Sequence, residues 1–422
     1  MTQEELKAAL ADQKAAYEAF KAKELSLNMA RGKPAAEQLD LSTPMLTVLE
    51  KASDCFSEDG TDCRNYGVID GIPEAKRLMG VLLDADPDNV IVLGNSSLTA
   101  MYDTIARCLD FGCLGSKPWS EYDEIKFICP VPGYDRHFAI LEQFGIGMLT
   151  VPLLEDGPDM DAVEEIVASD ESVKGIWCVP KYSNPSGITY SDEVVRRLAK
   201  MSCAADDFRI FWDNAYSVHN LYPSYDRQDH LLDIGIACVA AGNPDRFFKF
   251  ASTSKVTLPG AGICGIASSE ANVKETKSLL GSQMIGGDKM NQLRHTRFLP
   301  TEDSIYKHMD AQASIIRPKF ELVWKKLEEG LADDGIASWT KPRGGYFVSF
   351  DGIEGTAKRT VQLAKEAGVV LTGAGATWPY GNDPLDSNIR IAPTMPTLDE
   401  LSTALDVFVC CVKIAALEKL LG

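Results

Sequence analysis

Positive charge is in short supply in this chain. Its 422 residues carry 42 Lys and Arg against 61 Asp and Glu, a net charge of −19. Binding along nucleic acid needs a basic surplus, so the balance speaks against such a partner. Histidine is scarce too: there are five, scattered, and neither a CxxC nor an HExxH pattern accompanies them, which leaves no metal site to read. No apolar run approaches the ~20 residues that a bilayer span requires. Met1-Thr2-Gln3-Glu4-Glu5 offers neither the basic region nor the apolar stretch of a secretory signal. Internal repeats and low-complexity tracts are missing as well. Cysteine is plentiful at 11, but the number is odd and the spacing irregular. Cys129, Cys178 and Cys264 lie in apolar runs, as reduced thiols do in a reducing compartment. A cytoplasmic location is the expectation.

What is present is the texture of a soluble globular protein, 45% hydrophobic and 24% charged. The length allows roughly two to three domains. Thr2 with Glu5 reads as a capping box opening a helix to about Lys23, with Leu6, Leu10, Tyr17 and Phe20 as its apolar stripe. An irregular arm, Leu27 to Pro34, follows. Short apolar runs then recur at Val90–Leu93, Ile125–Cys129, Met148–Leu153, Gly175–Val179, Arg209–Trp212, Phe247–Phe250 and Cys264–Ala267. Amphipathic segments such as Asp192–Ala204 separate most of them. This alternation predicts an α/β fold with a mostly parallel, seven-stranded sheet between helices. After about Ser304 the pattern changes to a long helix over Ile315–Leu331, strands near Gly345–Phe350 and Val369–Leu371, and a capped helix from Thr397 to about Leu421. The division expected is a large domain over 46–305 and a smaller α+β domain over 306–422, with the N-terminal helix and arm, 1–45, counted as part of the smaller one.

The candidate chemistry centres on Ser252-Thr253-Ser254-Lys255, which leaves the apolar run Arg246–Phe250. A lysine just past a buried strand is either a solvated surface residue or, if desolvated, an amine able to condense with an aldehyde. Gly94-Asn95-Ser96-Ser97 precedes a helical pattern, so its hydroxyls and free amides suit either plain N-capping or an anion site. Asp213 ends a strand where ligands of such sheets bind, and Tyr216 stands three residues on. An N-cap is the other reading of Asp213. Asn184-Pro185-Ser186-Gly187 is a turn at the same edge, or a turn that also offers an amide donor. Arg390, on a short apolar strand, needs a carboxylate: an internal one or a ligand's. Gly260–Gly265 spells G-x-G-x-x-G, yet it precedes a strand and so fails the context of a dinucleotide site.

Taken in order, Tyr66-Gly-Val-Ile-Asp-Gly-Ile-Pro73, Ser96-Ser97, Asn184-Pro-Ser-Gly187, Asp213-Asn-Ala-Tyr216, Ser252-Thr-Ser-Lys255 and Arg390 resemble the fold-type I pyridoxal-phosphate enzymes, specifically the aspartate aminotransferase-like family. Ala30–Pro34 and Asn291-Gln-Leu-Arg-His295 resemble a divergent bacterial branch of it, labelled alanine–glyoxylate aminotransferase-like or MocR-like. The resemblance implies a homodimer that takes pyridoxal 5'-phosphate and transaminates aspartate or glutamate with 2-oxoglutarate or oxaloacetate. Lys255 would hold the cofactor and move the substrate proton. Asp213 would pair with the pyridine nitrogen, and Tyr216 and Asn184 would bond the phenolic oxygen. Ser96, Ser97, Ser252 and Ser254 would cradle the phosphate, with Tyr66 reaching it from a neighbouring subunit. Tyr134 would stack on the ring, Arg390 would grip the substrate α-carboxylate, and Gly32 would lie over the substrate.

Two departures from the family pattern stand out. Val256–Ala267 holds no phosphate-binding arginine. A reader of a dicarboxylate side chain is not singled out among Arg31, Lys33, Arg294 and Arg297. The competing activities are alanine–glyoxylate or aromatic transamination, and β-elimination by a C–S lyase. The non-enzymatic alternative is a cofactor-sensing regulatory module, which the acidic balance and the short segment before the core disfavour.

Overall fold

The computed structural model describes residues 2–422. Helix α1 (Gln3–Lys21) opens on the expected reciprocal cap: the Glu5 N–H donates to Thr2 Oγ1, and the Thr2 N–H donates to the Glu5 carboxylate. That satisfies two groups a helix start otherwise leaves bare. The arm follows as strand β1 (Leu27–Asn28) and helix α2 (Ala36–Asp40). Helix α3 (Pro73–Leu83) places its proline in the first turn, where no N–H is missed.

All seven apolar runs are strands of one sheet: β2 (Val90–Leu93), β3 (Lys126–Val131), β4 (Gly147–Leu154), β6 (Val173–Cys178), β7 (Arg209–Asp213), β8 (Phe247–Ser252) and β9 (Cys264–Ser268). The sheet has eight strands rather than seven, because the pair Gly157–Pro158 (β5) adds to the end of β4. Two residues, one of them proline, carry no periodicity that a sequence reading can detect. Strand order is β2-β9-β8-β7-β6-β3-β4-β5. Within it β4, β3, β6, β7 and β8 pair in parallel, while β9 is antiparallel to both β8 and β2. Strand β2 therefore runs with the parallel set, and six strands end at the same edge.

Helices α4 (Ser97–Phe111), α5 (Asp135–Phe144), α6 (Met160–Ser169), α7 (Asp192–Lys200) and α8 (Ile234–Ala240) connect these strands. Strand β7 shows why the runs are apolar throughout. Its Phe211 joins one core with Phe127 and Trp177, while Ile210 and Trp212 join another on the opposite face with Val195 and Leu198. A strand covered on both sides has no polar phase.

Beyond the sheet come α9 (Glu270–Gln283), α10 (Lys289–Phe298) and α11 (Glu302–Leu331). Helix α11 starts well before Ile315, because Thr301 Oγ1 accepts from the Ser304 N–H and Pro318 is accommodated inside the helix. Strands β10 (Ala337–Trp339), β11 (Val348–Gly352) and β13 (Asn388–Ile391) form an antiparallel sheet. Helix α12 (Ala357–Glu366) leads into β12 (Val369–Val370), which pairs in parallel with β1. Helix α13 (Leu398–Leu421) closes the chain, with Thr397 and Glu400 as its reciprocal cap. Tyr17 and Met29 share a core with Phe320, Phe350 and Phe408. No helix among the described residues is long and apolar enough to cross a membrane.

Candidate active site

Because six strands share a direction, the segments after β2, β3, β6, β7 and β8 converge on one edge. They enclose a cleft of about 160 Å³. Ser96 and Ser97 come from the start of α4, Tyr134 from the turn after β3, Asn184 from the loop after β6, and Asp213 from the tip of β7. Tyr216, Ser252, Ser254 and Lys255 complete the lining. A larger cleft of about 860 Å³ lies elsewhere, around Asp84, Asp233 and Lys249. There the Lys249 ammonium already donates to the Asp233 carboxylate and to the Asp84 carbonyl, so its charge is satisfied.

Asp213 is 3% exposed. The His137 Nε2–H donates to its Oδ2 at 3.1 Å, and the imidazole stacks on Trp177 with centroids 4.2 Å apart and planes 9° from parallel. Oδ1 is buried with no partner. It does not cap a helix. A bare buried carboxylate oxygen costs on the order of 1–3 kcal/mol or more, so this atom calls for a donor.

Lys255 ends a tight turn, Thr253–Lys255, directly after β8. Its Nζ sits 4.8 Å from the centroid of the Tyr216 ring. Burial lowers the amine's pKa, and the Asp213 charge opposes that shift in part. The His219 Nε2–H and the Tyr346 hydroxyl approach the Lys255 carbonyl at 3.3 and 3.5 Å, and Gln38 donates to Tyr346. Burial raises the phenols of Tyr216 and Tyr134, the latter to about 12. Both stay protonated, hence able to donate, at neutral pH.

At the other end of the cleft Ser96 is the N-cap of α4, its Oγ accepting from the Leu98 N–H. Capping and cleft-lining thus coexist in one residue. Ser252 donates to Ser254 at 3.1 Å. Asn95 Oδ1 accepts the Gly262 N–H at 2.6 Å. Among the described residues, Lys255 is the only cationic side chain in the lining, and Arg31, Lys33, Arg294 and Arg297 lie outside it. The Gly260–Gly265 stretch leads into β9, the context read from sequence.

Arg390 stands beside the cleft rather than in its lining. Its Nη1–H groups donate to Asp135 Oδ1 at 3.0 Å and to Asn184 Oδ1 at 3.1 Å. The guanidinium lies 4.8 Å from the Phe347 ring centroid, and its Nε is buried without a partner. The internal ion pair therefore exists, yet Nε is left without a partner. With the Asn184 oxygen occupied, its NH₂ remains to donate into the cleft. Gly32 meets the same group: a Cβ built on it would lie 2.6 Å from the Phe347 ring. Tyr66 is 83% exposed and does not reach the cleft of its own chain.

Sequence reasoning missed His137, Asp135 and His219. The signal for His137 was its place three residues after Tyr134 on the following helix, one turn further along. Nothing local marked the other two.

The sequence family described as aspartate amino-transferase matches residues 1–422. The chain is 45% identical over 408 residues to the aspartate aminotransferase of Corynebacterium glutamicum, covering 96% of this chain and 93% of that one. The crystal structure of an aspartate transaminase from the same organism superposes with a TM-score of 0.96 at 44% identity, covering 99% of this chain and 98% of that one. The α-aminoadipate aminotransferase of Thermus thermophilus, solved with N-(5'-phosphopyridoxyl)-L-leucine, shares the fold at a TM-score of 0.74 and 18% identity, covering 95% of each chain. The chain belongs to the aspartate aminotransferase family, within the fold-type I pyridoxal-phosphate enzymes.

Proposed function

We propose that this cleft carries out pyridoxal-phosphate-dependent transamination of aspartate or glutamate, with 2-oxoglutarate or oxaloacetate as the amino acceptor. One observation carries the reading: Asp213, whose Oδ1 is buried and unpartnered, lines the same small cleft as Lys255 with its desolvated amine. A protonated pyridine nitrogen is the donor that oxygen lacks, and the serine hydroxyls at the N-terminus of α4 suit a phosphate. The residues present therefore fit the cofactor. When bound, the cofactor ring supplies an electron sink for charge developing at the substrate Cα.

The chain's own groups divide the remaining work. Lys255 would hold the cofactor and, once freed, would move the proton from the substrate Cα to the cofactor C4′. Its depressed pKa keeps more of it neutral, as both tasks require. Asp213, oriented by His137, would keep the ring nitrogen protonated. The Tyr216 hydroxyl and the Asn184 amide would donate to the phenolic oxygen. Tyr134 would stack on the ring. Ser96, Ser97, Ser252 and Ser254 would hold the phosphate together with the α4 amides. Arg390, whose Nε has no protein partner, would grip the substrate α-carboxylate, and Gly32 on the arm would lie over the substrate.

Tyr66, exposed in its own chain, would complete the phosphate site of a second copy, so the working unit is a homodimer. We divide the chain into a large domain over 46–305 and a small domain formed by 306–422 with 1–45. Eleven free cysteines suit a reducing cytoplasm.

Lys255→Ala should abolish turnover and the visible absorbance of bound cofactor while the circular dichroism spectrum stays unchanged. Normal turnover by that variant would refute the mechanism. A screen of amino donors against 2-oxoglutarate should show aspartate among the best, and no oxo-acid formation from aspartate would refute the substrate assignment.

A further inference from the structure

Helix α10 carries buried polar side chains that the chemistry above leaves unused. His295 is 0% exposed. Its Nδ1–H donates to the Asn291 carbonyl at 2.8 Å, one turn back on the same helix, which leaves Nε2 as an acceptor in the neutral ring. Thr253 Oγ1 and Thr257 Oγ1 each lie 3.0 Å from that nitrogen. One lone pair takes one hydroxyl proton at a time. The other hydroxyl has a carbonyl to turn to, Ile263 O at 3.4 Å for Thr253 or Thr253 O at 3.3 Å for Thr257. These threonines stand two residues before and two after Lys255.

The same helix also holds the segment that follows the lysine turn. Asn291 Nδ2 donates to the carbonyls of Ala261 and Gly262 at 3.0 and 2.9 Å. Towards its start, the Lys289 ammonium donates to Gly67 O at 2.7 Å, and Gln292 Oε1 accepts the Ile72 N–H at 2.9 Å. One rigid helix thus ties the lysine turn to the segment that follows Tyr66.

We propose that His295 is a positioning residue for the reacting lysine: its neutral imidazole accepts from Thr253 or Thr257 in turn, holds the two ends of the lysine segment, and so aims Lys255 between Asp213 and Tyr216. The inference rests on the transaminase reading given above. A fully buried imidazole is costly unless its bonds are needed, and an apolar side chain would fill the space without holding either hydroxyl. Burial pushes this ring down to about 4, with Arg294 acting the same way and Asp288 and the Asn291 carbonyl opposing. It therefore stays an acceptor across the working pH range.

The test uses the cofactor-loaded enzyme and three variants. His295→Phe fills the space without an acceptor, His295→Gln restores an acceptor oxygen, and Thr257→Val removes one of the two hydroxyls. The readouts are kcat, KM for aspartate, and the pH midpoint of the visible absorbance of the lysine-bound cofactor. That midpoint reports the electrostatic surroundings of Nζ, which a passive packing role would not alter. His295→Phe should lower kcat about tenfold or more, change KM less than about threefold, and move the midpoint by about half a pH unit or more. Thr257→Val should act in the same sense with smaller effect, and His295→Gln should recover most of the loss. Wild-type kcat and midpoint in His295→Phe overturn the inference, as does a His295→Gln variant as impaired as His295→Phe. If His295→Phe does not fold, Thr257→Val decides, and an unmoved midpoint there overturns the proposal. A wild type without any visible band refutes the cofactor reading itself, and this inference with it.

Discussion

Acidification from pH 7 to pH 5 should remove about 4 kcal/mol of folding stability through two histidines alone. His219 and His295 are 3% and 0% exposed. Burial pushes their imidazoles down to about 3 and about 4, with Lys255 adding to the shift at His219. Both would titrate near ~6.5 in the unfolded chain. Between ~6.5 and the folded values the unfolded state binds more protons, so stability rises with pH and is lost as pH falls. Linkage gives a loss of about 2 kcal/mol per histidine at pH 5 and about 0.2 kcal/mol at pH 7. Carboxylates with lowered pKa, such as Asp170 and Glu418, carry the same sign but lose their contribution only as pH falls through the ordinary range near ~4. His308, also lowered by burial, adds in the same direction. Asp84 and Asp351, raised by burial, carry the opposite sign, so the histidine variant is what isolates the imidazole. Urea unfolding followed by tryptophan fluorescence, at fixed protein concentration and saturating cofactor, measures the loss. In His219→Leu it should shrink by about 2 kcal/mol, and the comparison with wild type cancels any pH dependence of cofactor binding. A variant with an undiminished loss would refute the reasoning.

Two further outcomes follow from contacts around the cleft. Gly32→Ala puts a Cβ within 2.6 Å of the Phe347 ring that lies under Arg390. Steady-state kinetics should show KM for the amino donor rising about tenfold, with a smaller change in kcat, since a carboxylate grip is disturbed and the proton transfer is not. His137→Leu leaves both Asp213 oxygens without a protein donor. Its kcat should fall between about tenfold and hundredfold, as one hydrogen bond to a buried charge is lost, and an unchanged kcat would remove His137 from the site.

Much of the fold was legible because its signal is local. Strands such as Ile210–Trp212 are buried on both faces and read as unbroken apolar runs. The site was legible for a related reason: Ser96, Asp213 and Lys255 each follow such a run, and a parallel sheet collects those ends. What the sequence hid are pairings between distant positions. His137 meets Asp213 76 residues away, and Asp135 meets Arg390 255 residues away. No periodicity encodes either. The start of α11 was placed too late, near Ile315, whereas the Thr301 cap starts the helix much earlier.

The stretch after Lys255 that lacks an arginine packs closely on the serine turn at one point. Gly262 donates its N–H to Asn95 Oδ1, and a Cβ there would stand 2.9 Å from that oxygen and 3.2 Å from Thr253 Oγ1. A side chain at 262 would therefore press on Asn95, beside the residues that open α4. A phosphate in this cleft then meets the positive end of α4, worth roughly half a unit charge, with serine hydroxyls around it. A dianion so weakly neutralised needs another donor. Tyr66, at 83% exposure, is free to supply one to a second copy of the chain. Tyr66→Phe should accordingly weaken cofactor retention more than it slows turnover at saturating cofactor; retention equal to wild type, measured by dialysis, would detach Tyr66 from the phosphate and with it the shared-site dimer.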